Sequence, residues 1–194
     1  MIQKDIQDKP VKFLFIGRTA SGKSSIAKAV CKKLGLKQVK SFTTRPPRDG
    51  ELDNPDSDHI FVNDDEFEEL REKNGFIAYT EINGFKYATS ECELYNSSIY
   101  VIDPNGVVNL KENCGDKYKF IEIYFRVPYV TAKQRFIERG GTGIEFKNRY
   151  DKESVQFKEY EQAQEFDYHL LNDKPFEESV NIICEIIKTH IECK

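Results

Sequence analysis

The chain has no apolar run near the ~18 residues needed to span a bilayer. The run nearest its start, Phe13-Leu14-Phe15-Ile16, follows the charged Lys4, Asp5, Asp8 and Lys9. No signal-peptide core is read there either. There is no Cys-x-x-Cys pair. The five cysteines, Cys31, Cys92, Cys114, Cys184 and Cys193, are odd in number and widely scattered. That excludes a disulfide framework or a cysteine-based zinc site as the organising feature and fits reduced thiols. Basic charge is not in excess: Lys+Arg is 29 against Asp+Glu 33, a net of −4. A partner in long nucleic acid is therefore not expected. The three histidines, His59, His169 and His190, show no local ligand spacing, and no Cys/His or His/Asp catalytic constellation stands out. No internal repeat or low-complexity linker is present. The expectation is a soluble cytoplasmic protein with no membrane partner.

Arginine is scarce as well. There are 8 arginines beside 21 lysines. Lysine supplies most of the solvated surface, so each arginine is a candidate for work that needs a planar fork of donors. Five of the eight, Arg45, Arg48, Arg135, Arg139 and Arg149, fall in two short stretches.

What is there suits one domain. At 194 residues, 39% apolar and 32% charged, the chain can bury a sizeable core, on the order of two-thirds of its unfolded surface. Strand-like and helix-like segments alternate, which predicts an α/β fold with a parallel sheet covered on both faces. Strands are read at 11–16, 39–41, 98–102, 118–125 and 168–171. Helices are read at 24–34, 64–73 with Asp64 as cap, 104–111, 129–138, 145–164 and 175–193. In the last of these Val180, Ile183, Cys184, Ile187 and Ile191 share one face. Asn83-Gly84 between 76–82 and 85–89 predicts a hairpin, because that pair readily takes the positive φ of a type I′ turn. The stretch 41–90 departs from the α/β rhythm and reads as a small antiparallel insert.

Gly17-Arg18-Thr19-Ala20-Ser21-Gly22-Lys23-Ser24 fits G-x-x-x-x-G-K-[ST]. Such a loop wraps so that backbone N–H groups point at phosphate. The lysine reaches the β- and γ-phosphates, and the serine hydroxyl can bind Mg²⁺. The motif follows a buried strand and opens an amphipathic helix, whose positive dipole end adds to the anion site. Gly17, Thr19, Ala20, Ser21, Gly22, Lys23, Ser24 and Ser25 are therefore the candidate ATP contacts. Arg45 and Arg48 stand three apart in a proline-stiffened loop, a spacing that suits a dianionic phosphate. Arg135 and Arg139 share a helix face at i, i+4. The glycines at 140, 141 and 143 read as a hinge. Asp103 ends a strand, where α/β folds place their chemistry, and also reads as a helix N-cap before Pro104.

The ungapped stretch Ser41-Phe42-Thr43-Thr44-Arg45-Pro46-Pro47-Arg48-Asp49-Gly50-Glu51 resembles the guanylate kinase family. The resemblance continues through Phe61-Val62, Glu66-Phe67, Phe76-Ile77, Gly84 with Tyr87, Ile102-Asp103, Gly106, Arg139-Gly140 and Asn172-Asp173. It covers about residues 11–190. It implies an ATP-dependent nucleoside monophosphate kinase acting on GMP or dGMP with Mg²⁺. The core would be about 9–40, 91–128 and 165–194, the monophosphate-binding insert about 41–90, and a helical lid about 129–164. By resemblance Arg45 and Arg48, with Ser41 and Tyr87, hold the acceptor phosphate. Thr89 meets the base. Arg135, Arg139 and Arg149 close over the phosphates, Asn172 lies near the adenine, and Asp103 sits by the Mg²⁺ and the acceptor. Lys23, Arg45, Arg139 and Arg149 form the expected catalytic set.

Four positions depart from the family pattern. Ala78 stands where the family has its base-reading glutamate, six residues before Gly84. Glu81 has the opposite strand parity and faces away from that position. His59 replaces a phosphate-contacting tyrosine, Ala20-Ser21 replaces the family's loop glycine, and Ala88 follows Tyr87 in place of glycine. Two alternatives follow. A related kinase for another phosphorylated small molecule, such as a sugar phosphate, needs no base pocket, but Tyr87 and Thr89 beside the hairpin count against it. A non-catalytic binding module of guanylate kinase type need not keep Lys23, Ser24, Arg139 and Arg149, all present here.

Overall fold

The structure is a computed structural model, and it describes residues 9–48, 50–55, 57–163 and 166–191. Asp49 of the arginine loop and the expected helix ends Gln164 and Cys193 lie outside the described residues. Strand β1 (Val11–Gly17) is the apolar run. It pairs in parallel with β6 (Ile99–Val101) on one side and β7 (Lys119–Arg126) on the other. Strand β8 (Tyr168–Leu171) extends the parallel sheet to the order β6-β1-β7-β8.

Successive side chains of β1 point to opposite faces, and the two faces carry two cores. Leu14 and Ile16 pack with Tyr100, Tyr124, Phe157 and Tyr160 beneath α4 (Pro104–Cys114) and α6 (Gly143–Ala163). Phe13 and Phe15 pack with Ile26, Val30, Ile183 and Ile187 beneath α1 (Lys23–Leu34) and α7 (Phe176–Ile191). The α7 face holds as expected except at Ile191, which is exposed because the last turn carries it out of the core. Phe157 and Tyr160 are buried, so the far half of α6, inside the expected lid, packs into the core.

The second sheet has the order β3-β2-β5-β4, with β2 (Ser41–Thr43), β3 (His59–Phe61), β4 (Ala78–Ile82) and β5 (Phe85–Thr89). The expected hairpin forms, with positive φ at Asn83 and Gly84. The sheet is mixed and not purely antiparallel, because β2 and β3 run side by side in the same direction. A tight turn cannot make that connection. The long loop carrying Arg45 and Arg48 makes it. The strand expected at 39–41 divides: Gln38 bridges to Ile99 of the first sheet, and β2 starts at Ser41 in the second.

Helix α2 (Asp64–Asn74) is capped by Asn63 rather than Asp64. The Asn63 side chain accepts from the Glu66 N–H, and Glu66 accepts in return from the Asn63 N–H. This reciprocal box begins one residue before the acidic run. A short helix α3 (Glu91–Tyr95), capped by Ser90, follows β5. Helix α5 (Tyr129–Glu138) precedes α6. Among the described residues no helix is long and apolar enough to cross a membrane.

Candidate active site

The glycine-rich loop leaves the end of β1 and turns into α1. Its two end glycines are sterically required. A Cβ at Gly17 would stand 2.7 Å from the Phe125 carbonyl oxygen, and one at Gly22, where φ is +87, would stand 2.4 Å from Asn172 Nδ2. Ala20 also takes a positive φ, 57°, at the place where the family has glycine. The left-handed region costs a non-glycine residue roughly 1–2 kcal/mol. Asn172 holds the loop from the side. Its Nδ2 donates to the Ser21 carbonyl at 2.7 Å, and its Oδ1 accepts from Ser179 at 2.9 Å. Both ends of this amide take part in bracing the loop. The Ser21 hydroxyl is buried without a partner. Ser24 is half-buried and Ser25 exposed on the first turn of α1.

Lys23 donates to the Arg18 carbonyl at 3.2 Å. Burial pushes its pKa down to about 8; Glu153 and Asp103 oppose the shift, while Arg149 and Arg139 add to it. The arginines repel one another too. Burial, then Arg48, Arg149 and Arg135, pushes the Arg139 pKa down. Burial and then Arg45, with Arg149 further off, do the same to Arg48. A guanidinium keeps its proton at any physiological pH, so these shifts register crowding of positive charge. Lys23, Arg45, Arg48, Arg135, Arg139 and Arg149, drawn from four separate parts of the chain, come close enough to repel one another. One guanidinium nitrogen of Arg135 is buried without a partner and lies beside Gly22 of the loop.

Two groups that the sequence reading did not single out organise these cations. Glu153 on α6 accepts from the Thr19 N–H at 2.7 Å and from Arg149 Nε at 3.0 Å. Glu51 accepts from Arg45 Nη2 at 2.9 Å and from the Arg48 N–H at 2.8 Å. Burial works to raise the Glu51 pKa, but these hydrogen bonds hold it below the ordinary range. Glu51 lies inside the motif at 41–51, which was a signal for it. Glu153 follows Arg149 by four residues on a helix, a spacing shared by many surface pairs.

At the other end, the Ser41 hydroxyl and His59 Nδ1 share a hydrogen bond of 3.0 Å, and the His59 ring meets Tyr87 edge-on. Burial pushes the His59 pKa down, against the nearby Asp58, so the ring is neutral at pH 7. The β4–β5 register runs without a bulge, pairing Ala78 with Thr89 and Thr80 with Tyr87. Glu81 is exposed, as its parity predicts. Ala78 and Thr89, the residue expected to meet the base, are 2% and 0% exposed. Gly84 is exposed at the hairpin tip, where its φ of +80 serves the expected turn and its surroundings are open.

Asp103 joins the two ends. It caps α4 through the Asn105 and Gly106 N–H groups, and it accepts from Thr80 at 3.2 Å and from Gln156 at 3.1 Å. All four donors reach Oδ1. Burial raises its pKa, and these hydrogen bonds offset part of the rise. Beside it, a cleft of about 460 Å³ opens between the hairpin tip and α6, lined by Glu81, Asn105, Arg149, Glu153 and Gln156 among others.

A parallel sheet with a phosphate-type loop at the end of its first strand, a cluster of arginines beside Lys23 and a small second sheet define a P-loop α/β kinase. Its relatives give the finer assignment. The Guanylate kinase family model matches residues 9–190, and the chain belongs to the guanylate kinase family, whose members are nucleoside monophosphate kinases. It is 30% identical to the guanylate kinase of Francisella tularensis subsp. holarctica (strain LVS) over 190 residues, 93% of this chain and 97% of the relative. It is 30% identical to that of Clostridioides difficile (strain 630) over 166 residues, 81% of this chain and 77% of the relative. The crystal structure of guanylate kinase from Anaplasma phagocytophilum shares the fold, with a TM-score of 0.70 at 21% identity, covering 94% of this chain and 86% of that one.

The loop motif and the family both imply Mg²⁺. The donor chemistry is of the right kind: a serine hydroxyl at Ser24 and the Asp103 carboxylate, whose four hydrogen bonds all fall on Oδ1. Among the described residues no cluster of three or more His, Cys, Asp or Glu side chains forms a cage. Mg²⁺ characteristically uses one or two protein oxygens together with substrate phosphates.

Proposed function

We propose that the protein transfers the terminal phosphoryl group of ATP to the phosphate of a nucleoside monophosphate, with GMP as the acceptor. The observation that carries this reading is the crowding of Arg48, Arg139 and Arg149 with Lys23 beside the glycine-rich loop, close enough that Arg149 repels each of the other three. Mutually repelling cations are stabilised by a polyanion placed between them.

The glycine-rich loop and Lys23 cradle the donor phosphates. Arg45 and Arg48, preset by Glu51, hold the acceptor phosphate, with Ser41, His59 and Tyr87 beside it. Arg135, Arg139 and Arg149 neutralise charge on the transferring group. An acceptor phosphate oxygen attacks the γ-phosphorus, a new P–O bond forms, and the bond to the β,γ-bridging oxygen breaks to release ADP. That oxygen is already ionised at neutral pH, so no side-chain base is needed. Mg²⁺, when bound at Ser24 and Asp103, supplies charge neutralisation on the phosphate oxygens. The protein's own contribution is alignment and exclusion of water.

A second reading rests on Ala78. An alanine accepts no hydrogen bond from the guanine N1–H and amino groups, and leaving such donors unpaired costs roughly 1–3 kcal/mol each. A kinase for another monophosphate keeps the same phosphate machinery. Mg·ATP assayed against GMP, dGMP, AMP, CMP, UMP and dTMP separates the two. Preference for GMP or dGMP supports the first reading; AMP or a pyrimidine monophosphate outcompeting GMP replaces it with the second.

A further inference from the structure

Glu153 has no part in the mechanism above, yet its carboxylate sits where that mechanism places phosphate. It takes the Thr19 N–H, a donor of the glycine-rich loop, on one oxygen and the Arg149 guanidinium on the other. It is also the foremost charge opposing the shift of Lys23. Three groups built for a polyphosphate are thus served by one internal anion.

The helix that carries it is pinned. Arg18 donates to Ser154 at 2.8 Å and through two nitrogens to Glu161 at 3.3 and 3.2 Å. Its guanidinium also lies over the rings of Tyr150 and Phe157. Tyr124 donates to the same Glu161 carboxylate. These contacts fasten residues 150–161 of α6 to the loop on both sides of Glu153. The carboxylate leaves the site by rotating its own side chain, since the helix beneath it is held.

We propose that Glu153 is an affinity-setting residue, an internal surrogate for phosphate that fills the glycine-rich loop and must be displaced by the polyphosphate of a nucleoside triphosphate. The inference rests on the kinase reading for the identity of the ligand. Two carboxylate contacts are exchanged for phosphate contacts on binding, and the like charges of carboxylate and phosphate exclude each other from one position. Arg149 is assigned to the transferring phosphoryl group, so the competition falls on the terminal phosphate. ATP therefore pays more for Glu153 than ADP does.

The test is calorimetric binding of Mg·ATP and Mg·ADP to the wild type, E153Q and E185Q. Glu185 is exposed on α7, outside the cleft, and its variant controls for a bare change of charge. The expected result is a Kd for ATP lower in E153Q by about tenfold or more, a smaller gain for ADP, and no change in E185Q. Thermal unfolding without nucleotide reports whether each variant is folded, and E153A is read in the same way should E153Q not fold. ATP affinity in E153Q equal to or weaker than wild type, or an equal gain in E185Q, overturns the inference. Failure of the wild type to bind ATP at all strikes instead at the kinase reading.

Discussion

The two ends of the cleft are built on different plans. At the phosphate end the chain is over-supplied with positive charge, and the ligands sit on a contiguous loop and on short arginine motifs. At the end proposed for the base, Ala78 and Thr89 are buried, and the Asp103 carboxylate already holds four donors. Phosphate needs charge and backbone N–H groups, which a local sequence can supply by itself. A base needs a pattern of hydrogen bonds, which several distant segments must supply together. The first end is therefore the more robust, and the second is where a member of the family can change what it accepts.

Removing charge from the phosphate end should do the most damage. Lys23→Ala should lower kcat by roughly 10²–10³-fold or more, measured as initial rate at saturating substrates with fold checked by circular dichroism. Arg45→Ala should cost roughly 2–5 kcal/mol in kcat/KM for the acceptor, and Glu51→Gln less, because the arginine remains but loses its brace. KM for ATP should stay within a fewfold of wild type in both. An equal rise in the two KM values would mean that the two phosphate subsites are not separate.

Asn172→Ala tests the brace rather than the ligands. It strands the Ser21 carbonyl and the Ser179 hydroxyl, at roughly 1–3 kcal/mol, and should lower Tm and weaken ATP without changing acceptor preference. At the base end, Thr80→Val removes one donor to Asp103, worth roughly 0.5–1.5 kcal/mol. It should alter the ratio of kcat/KM values among acceptors and leave KM for ATP alone. An unaltered ratio would remove Thr80 and Asp103 from base recognition.

The smallest expected effect is on pH. Lys23 has a folded pKa of about 8 against an ordinary 10.5. Above pH 8 it loses its proton, so kcat/KM for Mg·ATP should fall roughly fourfold between pH 7 and 8.5, with the apparent pKa belonging to the free enzyme. Stability moves the other way. Between about pH 8 and 10.5 the unfolded chain holds more protons than the folded one, so the contribution of Lys23 to stability improves as pH rises through that window. Bound nucleotide should displace the kinetic pKa upward, because phosphate favours the charged amine.

Much of this was legible in the sequence, for reasons that follow the same division. The loop 17–24, the hairpin at Asn83-Gly84 and the packed face of α7 depend on neighbours within a few turns. The cap of α2 was missed by one residue, since Asn63 and Asp64 are both good caps and only the reciprocal bond to Glu66 decides between them. The parallel pairing of β2 with β3 and the division of 38–41 between two sheets depend on where a long loop returns. Glu153 meets Thr19 across 134 residues of chain, and no local pattern announces that. Glu51 was within reach, standing in the arginine motif itself, but its task of holding both arginines appears only once the loop is folded.

The most direct test of the account is the initial rate of phosphoryl transfer from Mg·ATP to GMP by the full chain, with Lys23→Ala alongside. The account predicts ADP and GDP formed in equal amounts by the wild type, with the variant slower by roughly two orders of magnitude or more. ATP bound normally by the wild type, with no more ADP formed than by the variant on GMP or any other monophosphate, would contradict it.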